Sequence, residues 1–366
     1  MPAKTPIELA DRVEAFSQLS SVFQSVAVAL DTGSRRDLQQ ETAHLLFEAA
    51  QQSTQMNPWF DRSEIARALY GLAAMTGKTV LKRWLDHYPV LRSKPCRPKN
   101  IAVIMAGNIP LVGFHDFMSV LISGHSFVGK LSSQDALLPQ AVAKLLILAE
   151  PKFEHFISFT KNIPEGTDAY IATGSDNTAR YFDHLFSNKS HIIRKNRQSL
   201  AVLTGNESKE ELESLGVDVF AYYGLGCRSV SHLLLPAGFD VRIFIEAWKP
   251  FSDLLVNVKY QNNLRYNRAL SAVENLPFTD TGICLLQESA ELASAISVVH
   301  FSYYQNTEEA LRFIRERNTR LQCIVSNAPF LNDHPLRVPF GQSQFPGPED
   351  YADGIDTIKF LTSLDA

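Results

Sequence analysis

Cysteine is scarce. The chain has 366 residues and four cysteines, at Cys96, Cys227, Cys284 and Cys323, and no two form a Cys-x-x-Cys pair. That spacing gives no support to a zinc site or a redox dithiol, and no metal is expected. A chain of this length builds a sufficient core without disulfides, so the cysteines read as reduced thiols and a cytoplasmic location is expected. Charge of one sign is also lacking: 35 Lys and Arg stand against 39 Asp and Glu, a net −4. No global field would gather nucleic acid or an anionic membrane surface. No run reaches the roughly 18 uninterrupted apolar residues of a membrane span, and the opening Met-Pro-Ala-Lys-Thr-Pro-Ile-Glu has no signal-peptide stretch. A Gly-x-Gly-x-x-Gly run is missing too, so the conventional dinucleotide fingerprint is absent. No repeat or low-complexity tract is present.

Two domains suit the length. Residues 7–88 carry helical spacing, as in Leu9, Val13, Phe16 and Leu19, with a break at Pro58 and a helix start near Asp61 and Ser63. The pattern changes near residue 99. Short apolar runs at 101–105, 126–131, 169–172, 191–194 and 199–204 alternate with helical stretches at 112–123, 135–149 and 176–186. A second alternation follows, with strands at 230–235, 282–287, 296–301 and 321–325 and helices at 208–214, 240–252, 260–273 and 307–317. Strand–helix alternation implies parallel sheets covered on both faces, with ligands at the C-terminal strand ends. The expected division is a helical segment 1–98, a dinucleotide-binding α/β domain 99–204, a catalytic α/β domain 205–335, and a C-terminal loop with an interface strand, 336–366. The strand, at 357–361, suggests pairing between subunits and a homodimer or larger assembly. The basic run Arg194-Lys195-Asn196-Arg197 reads as solvated surface.

Cys227 stands in Gly224-Leu-Gly-Cys227-Arg-Ser. Flanking glycines allow close substrate approach and unusual dihedrals at the thiol, and a neighbouring N–H can serve an oxyanion. On spacing alone it reads equally as a buried structural thiol. Asn108, beside Gly107 in Ala-Gly-Asn-Ile-Pro, ends the first strand; its amide can donate to an oxyanion or cap the turn before Pro110. Lys130 ends the second strand, where an ammonium can hold a ribose hydroxyl or a phosphate. Thr173-Gly174-Ser175 opens a helix, with N–H groups and a hydroxyl available to an anion or to ordinary capping.

The order of these motifs resembles the aldehyde dehydrogenase superfamily, over about residues 100–361. The carrying stretches are Asn108-Ile-Pro, Gly124 to Lys130, Thr173-Gly-Ser175, Gly224-Leu-Gly-Cys227 and Pro339-Phe-Gly-Gln342. Within it, Arg194-Lys-Asn-Arg-Gln-Ser-Leu-Ala and Gly-Leu-Gly-Cys-Arg-Ser-Val-Ser look most like acyl-CoA reductases of the LuxC type. The resemblance implies an aldehyde-dehydrogenase-like α/β fold with two doubly wound domains. It implies Cys227 as a nucleophile carrying an acyl group from acyl-CoA, Asn108 as oxyanion donor, and a nicotinamide cofactor at Gly107, Lys130, Ser133, Thr173, Gly174 and Ser175. Hydrolytic members carry a water-activating glutamate where matching on Ser199 places Arg194, so the acyl-enzyme is expected to meet a hydride rather than water. Ser133 stands where NAD-dependent members carry a ribose-binding glutamate, and a neutral residue there tolerates a 2′-phosphate, so NADPH is the expected donor. Glu288 and Glu291 are candidates by region for the nicotinamide ribose. An acyl phosphate reductase and a Cys–His hydrolase are the alternative activities, and a silent scaffold on this fold is the third.

Overall fold

Phe16, Leu19, Phe23, Val26 and Leu30 recur at three- and four-residue intervals and are all buried. They make α1 (Leu9–Thr32) the central helix of an N-terminal layer. α1 has the length and apolar content of a membrane span, but its apolar face is buried in this core. The computed structural model describes residues 6–38, 41–93, 97–174 and 176–364; Cys96 and Ser175 lie outside them. α2 (Glu41–Met56), α3 (Arg62–Met75), α4 (Lys78–Leu85) and α5 (Val90–Ser93) follow. The break at Pro58 is present, and Asp61 starts α3 by accepting the Glu64 N–H at 3.0 Å.

Next come β1 (Asn100–Ile104), α6 (Phe114–Ile122), β2 (Ser126–Lys130), α7 (Leu137–Ala149), β3 (Ile157–Thr160), β4 (Ala169–Thr173), α8 (Asp176–Leu185) and β5 (Ser190–Arg194). The five strands form an all-parallel sheet in the order β3-β2-β1-β4-β5. Alternate residues of β1 serve opposite faces. Ile101 and Val103 join the core that holds α1, while Ala102 and Ile104 pack with Phe182 of α8 and with Phe186 just beyond it. Strand order reverses at β1, between β2 and β4, the switch point where such sheets bind ligands.

The second sheet begins at β6 (Gln198–Val202). α9 (Lys209–Phe220), β7 (Val230–Pro236), α10 (Ile243–Ala247), α11 (Val258–Val273), β8 (Thr279–Asp280), β9 (Leu285–Glu288), β10 (Val298–Tyr304), α12 (Thr307–Arg317), β11 (Leu321–Val325) and β12 (Arg337–Val338) follow. Its seven strands run in the order β12-β11-β6-β7-β10-β9-β8. Only β8 is antiparallel to its neighbour among the described strands.

Three expectations change. The chain divides into one unit of residues 1–196 with 346–366 and another of 197–345. The break precedes residue 204 because β6 pairs with β7 and β11, and the N-terminal helices share a core with the first sheet. The helix expected over 240–252 is the short α10, followed by a 3₁₀ stretch, Lys249–Val256, with Pro250 in its first turn. The C-terminal strand is instead a helix, α13 (Thr357–Ser363). Asp356 caps it, accepting the Lys359 N–H at 2.8 Å, and Ile358 and Leu361, three apart, are fully buried. The element on which subunit pairing was expected is therefore not a strand.

Candidate active site

In the first unit the chain leaves β1 into a loop that lies against the loop after β2. The Met105 N–H donates to the Lys130 carbonyl at 3.0 Å. Gly107 is pressed onto Ser132: a Cβ there would lie 2.4 Å from the hydroxyl oxygen and 2.6 Å from Ser132 Cβ. No side chain fits between the two loops. Asn108, the next residue, is exposed, Lys130 is half-buried and Ser133 is exposed. Thr173 and Gly174 end β4 on the other side of β1 and are half-buried. The structure thus gathers Gly107, Asn108, Lys130, Ser133, Thr173 and Gly174 at the C-terminal ends of three adjacent strands.

Sequence reasoning missed Asp135. It is 4% exposed, and its Oδ2 accepts the Leu111 N–H at 2.7 Å. Leu111 is left-handed, with φ 57°, a conformation that a leucine holds only when neighbours enforce it. The carboxyl therefore fastens the far end of the Asn108 loop. Burial pushes its pKa up from 3.8 to about 7, against the opposing pull of the Leu111 N–H. The folded state then binds more protons than the unfolded chain between about pH 4 and pH 7, so this group's contribution to stability is lost as pH rises through that window. Asp135→Asn keeps an acceptor and never ionises. It is expected to gain about 2 to 3 kcal/mol on the wild type between pH 5 and pH 8, read from urea unfolding at each pH. Parallel pH dependence in the two proteins would show that Asp135 does not titrate in the core.

In the second unit α9 ends in an unusual segment. Tyr222, Tyr223 and Gly224 are successively left-handed, with φ of 54°, 57° and 75°. Two bulky residues in that region cost about 1–3 kcal/mol each. Both tyrosines are buried, and the Tyr223 ring meets Tyr260 at 5.6 Å between centroids. This strain turns the chain sharply into a β-turn closed by the Ser229 N–H on the Gly226 carbonyl at 3.0 Å. Cys227, half-buried, occupies the first corner of that turn. Its carbonyl accepts the Ser199 hydroxyl at 2.9 Å, and Ser199 lies 3.1 Å from the Cys323 sulfur. Arg228 donates from Nε to the Ser343 carbonyl at 2.5 Å. The turn precedes β7, so Cys227 sits at the N-terminal end of its strand.

Other candidates are placed differently. His232 lies within β7, fully buried, with Nδ1 donating to the Glu291 carbonyl at 3.0 Å and Nε2 accepting from the Ser302 hydroxyl at 2.8 Å. Burial pushes its pKa down to about 4, so it is a neutral structural ring with both nitrogens engaged. Glu288 is exposed at the end of β9, and the exposed Glu291 carboxylate lies 3.6 Å from Arg320. Arg194 departs from the expected solvated run. It is 4% exposed, and pairs with Asp116 at 2.5 Å and with the Thr357 hydroxyl at 2.8 Å. β5 directs it into the core of the first unit while Lys195 and Asn196 stay exposed.

The acyl-CoA reductase (LuxC) family model matches residues 17–244. The match takes in most of the N-terminal helices, which the sequence resemblance did not reach, and it includes Asn108, Lys130 and Cys227. No curated protein matches the chain in sequence. Among solved structures, an indole-3-acetaldehyde dehydrogenase complexed with NAD+ is similar with a TM-score of 0.56 at 14% identity, over 88% of this chain and 77% of that one. An aldehyde dehydrogenase from Bacillus cereus, also in an NAD+ complex, gives 0.54 at 14% identity over 85% and 71%. The aldehyde dehydrogenase KauB from Pseudomonas aeruginosa gives 0.55 at 15% identity over 88% and 77%. At such identities the likeness is one of fold. The chain belongs to the acyl-CoA reductase (LuxC) family and has the aldehyde dehydrogenase fold.

Proposed function

We propose that this protein reduces an acyl-CoA to an aldehyde through an acyl group carried on Cys227, with NADPH as hydride donor. The observation that carries the reading is the Cys227 turn itself. A half-buried thiol stands at a corner whose entry is strained and whose carbonyl and following side chain are each held by hydrogen bonds. Membership of the acyl-CoA reductase family supports the substrate class.

The Cys227 thiolate attacks the acyl carbonyl carbon. As the new C–S bond forms, the bond to CoA breaks and CoA leaves as a thiolate that takes a proton from solvent. Oxyanion stabilisation is assigned to the Cys227 N–H and the Asn108 amide, as the motif order in the sequence implies. The strand ends of the first unit fit a nicotinamide dinucleotide. Lys130 offers an ammonium there, and Gly174 lies so close to Thr178 that a Cβ would come within 2.8 Å, leaving a bare backbone at the helix entrance. When bound, that cofactor supplies the hydride. The resulting thiohemiacetal oxyanion collapses to aldehyde, breaking the C–S bond and restoring the Cys227 thiolate. Ser133 brings no carboxylate to oppose a 2′-phosphate, which favours NADPH. Arg194, engaged with Asp116 and Thr357, supplies no base for water. The bonded state of His232 counts against its serving as the base of a Cys–His hydrolase. A cytoplasmic location belongs to the same proposal.

NADPH consumption, CoA release and aldehyde formation, followed across short, medium and long acyl-CoAs, are expected to occur in equal amounts. Turnover with acyl phosphates alone would move the substrate class. Free acid formed without NADPH consumption would overturn the reductase.

A further inference from the structure

We propose that Asp218 is a positioning residue for Cys227, acting through the loop that follows β12 and through Arg228. This inference rests on reading Cys227 as the nucleophile. Asp218 lies in the last turn of α9 and is fully buried. A carboxylate in that position is costly to desolvate, and this one spends both oxygens on a single loop. Oδ2 accepts the Gly341 N–H at 2.6 Å and Oδ1 the Ser343 N–H at 2.9 Å. Ser343 then turns its carbonyl to Arg228 Nε at 2.5 Å. The next residue, Gln344, reaches the Ser229 hydroxyl at 3.4 Å, and that hydroxyl faces the Ala221 carbonyl at 3.3 Å.

These bonds close a circuit. α9 delivers the chain into the left-handed residues 222–224 and the Cys227 turn. Asp218 on the same helix grips the loop 341–343, and that loop grips the residue after the cysteine. Ser199 holds the Cys227 carbonyl from the neighbouring strand. The turn is therefore fixed on both flanks, and the side chain of Arg228, the residue after Cys227, is tied to the Ser343 carbonyl. A cation held near a thiol favours the thiolate, and the alkylation profile reads that effect of Arg228 on Cys227. The Pro339-Phe-Gly-Gln342 stretch acquires a role: with the following Ser343 it presents two N–H groups, those of Gly341 and Ser343, to Asp218.

The test follows alkylation of Cys227 by iodoacetamide against pH, with peptide mass spectrometry isolating Cys227 from the other cysteines. No acyl substrate is needed. Asp218→Asn retains the shape but replaces one acceptor with a donor. It is expected to slow Cys227 alkylation at neutral pH by about tenfold and move the profile to higher pH. It is also expected to lower kcat for acyl-CoA by about 10- to 100-fold with little change in KM. Arg228→Gln should reproduce the alkylation change, and the double variant should add nothing to it. Wild-type alkylation profiles in folded Asp218→Asn and Arg228→Gln proteins would overturn the proposal. If Asp218→Asn does not fold, the Arg228→Gln profile decides in the same way. A wild-type protein that alkylates at Cys227 but forms no acyl adduct would defeat the acyl-CoA reading, while the alkylation comparison still decides the role of Asp218.

Discussion

Cys227→Ala is expected to abolish acyl-CoA reduction, by about four orders of magnitude or more, while leaving the protein folded. The hydrogen bonds that shape the turn run through its backbone and its neighbours. Ser199 bonds the Cys227 carbonyl, Ser229 closes on Gly226, and Arg228 bonds Ser343. Alanine keeps the same carbonyl and the same turn. The left-handed run ends at Gly224, before the substituted position. What is lost is the sulfur, and with it the covalent intermediate that divides the reduction into two easier steps. Wild-type protein incubated with acyl-CoA and no NADPH should gain the mass of one acyl group on the peptide holding Cys227. The alanine variant should gain none there, with an unchanged unfolding midpoint. Undiminished reductase activity in the variant, or an adduct on another residue of the wild type, would sink the mechanism.

The thiol was legible in the sequence because glycines at 224 and 226 mark a backbone open to unusual dihedrals, and because the motif order resembles a known family. Its supports were not legible. The Asp218 carboxylate and the Gly341 N–H are 123 residues apart, and a lone Asp near a helix end gives no sign of what it will meet. The rule that ligands lie at C-terminal strand ends leads to Asn108, Lys130 and Thr173, but not to Cys227, which precedes β7. The two sheets were visible as strand–helix alternation. β3, β8 and β12 were not, because the first is a short edge strand of mostly half-buried residues and the other two have two residues each. Thr357-Ile-Lys-Phe-Leu361 alternates like a strand, and β-branched and aromatic residues favour that reading. The Asp356 cap and the i,i+3 burial of Ile358 and Leu361 outweigh both. Arg194 was misread for a related reason. A basic run signals solvent only while no carboxylate waits in the core, and Asp116 stands 78 residues upstream.

That buried pair carries the second large expectation. Asp116→Ala is expected to destabilise the protein by about 3 to 5 kcal/mol. Arg194 is 4% exposed and Asp116 6% exposed, so both ions were taken out of water on folding. Removing the carboxylate takes from the buried guanidinium the opposite charge it meets at 2.5 Å, which the neutral Thr357 hydroxyl does not replace. Replacing both ions by apolar residues, as in Asp116→Leu with Arg194→Met, removes both desolvation penalties and should recover most of the loss. The strong non-additivity of the pair is the signature, read from urea midpoints of the single and double variants. Additive losses below about 1 kcal/mol each would mean that the pair is not a balanced core element. The same geometry bears on hydrolysis. The position that the family resemblance gives to a water-activating glutamate holds a side chain turned into the core of the first unit. Arg194→Glu would therefore set a second carboxylate beside Asp116, not a base beside the thioester. Its expected result is an unstable protein with no acyl-CoA hydrolysis, and measurable release of free acid from the folded fraction of that variant would show that position 194 can reach the acyl group after all.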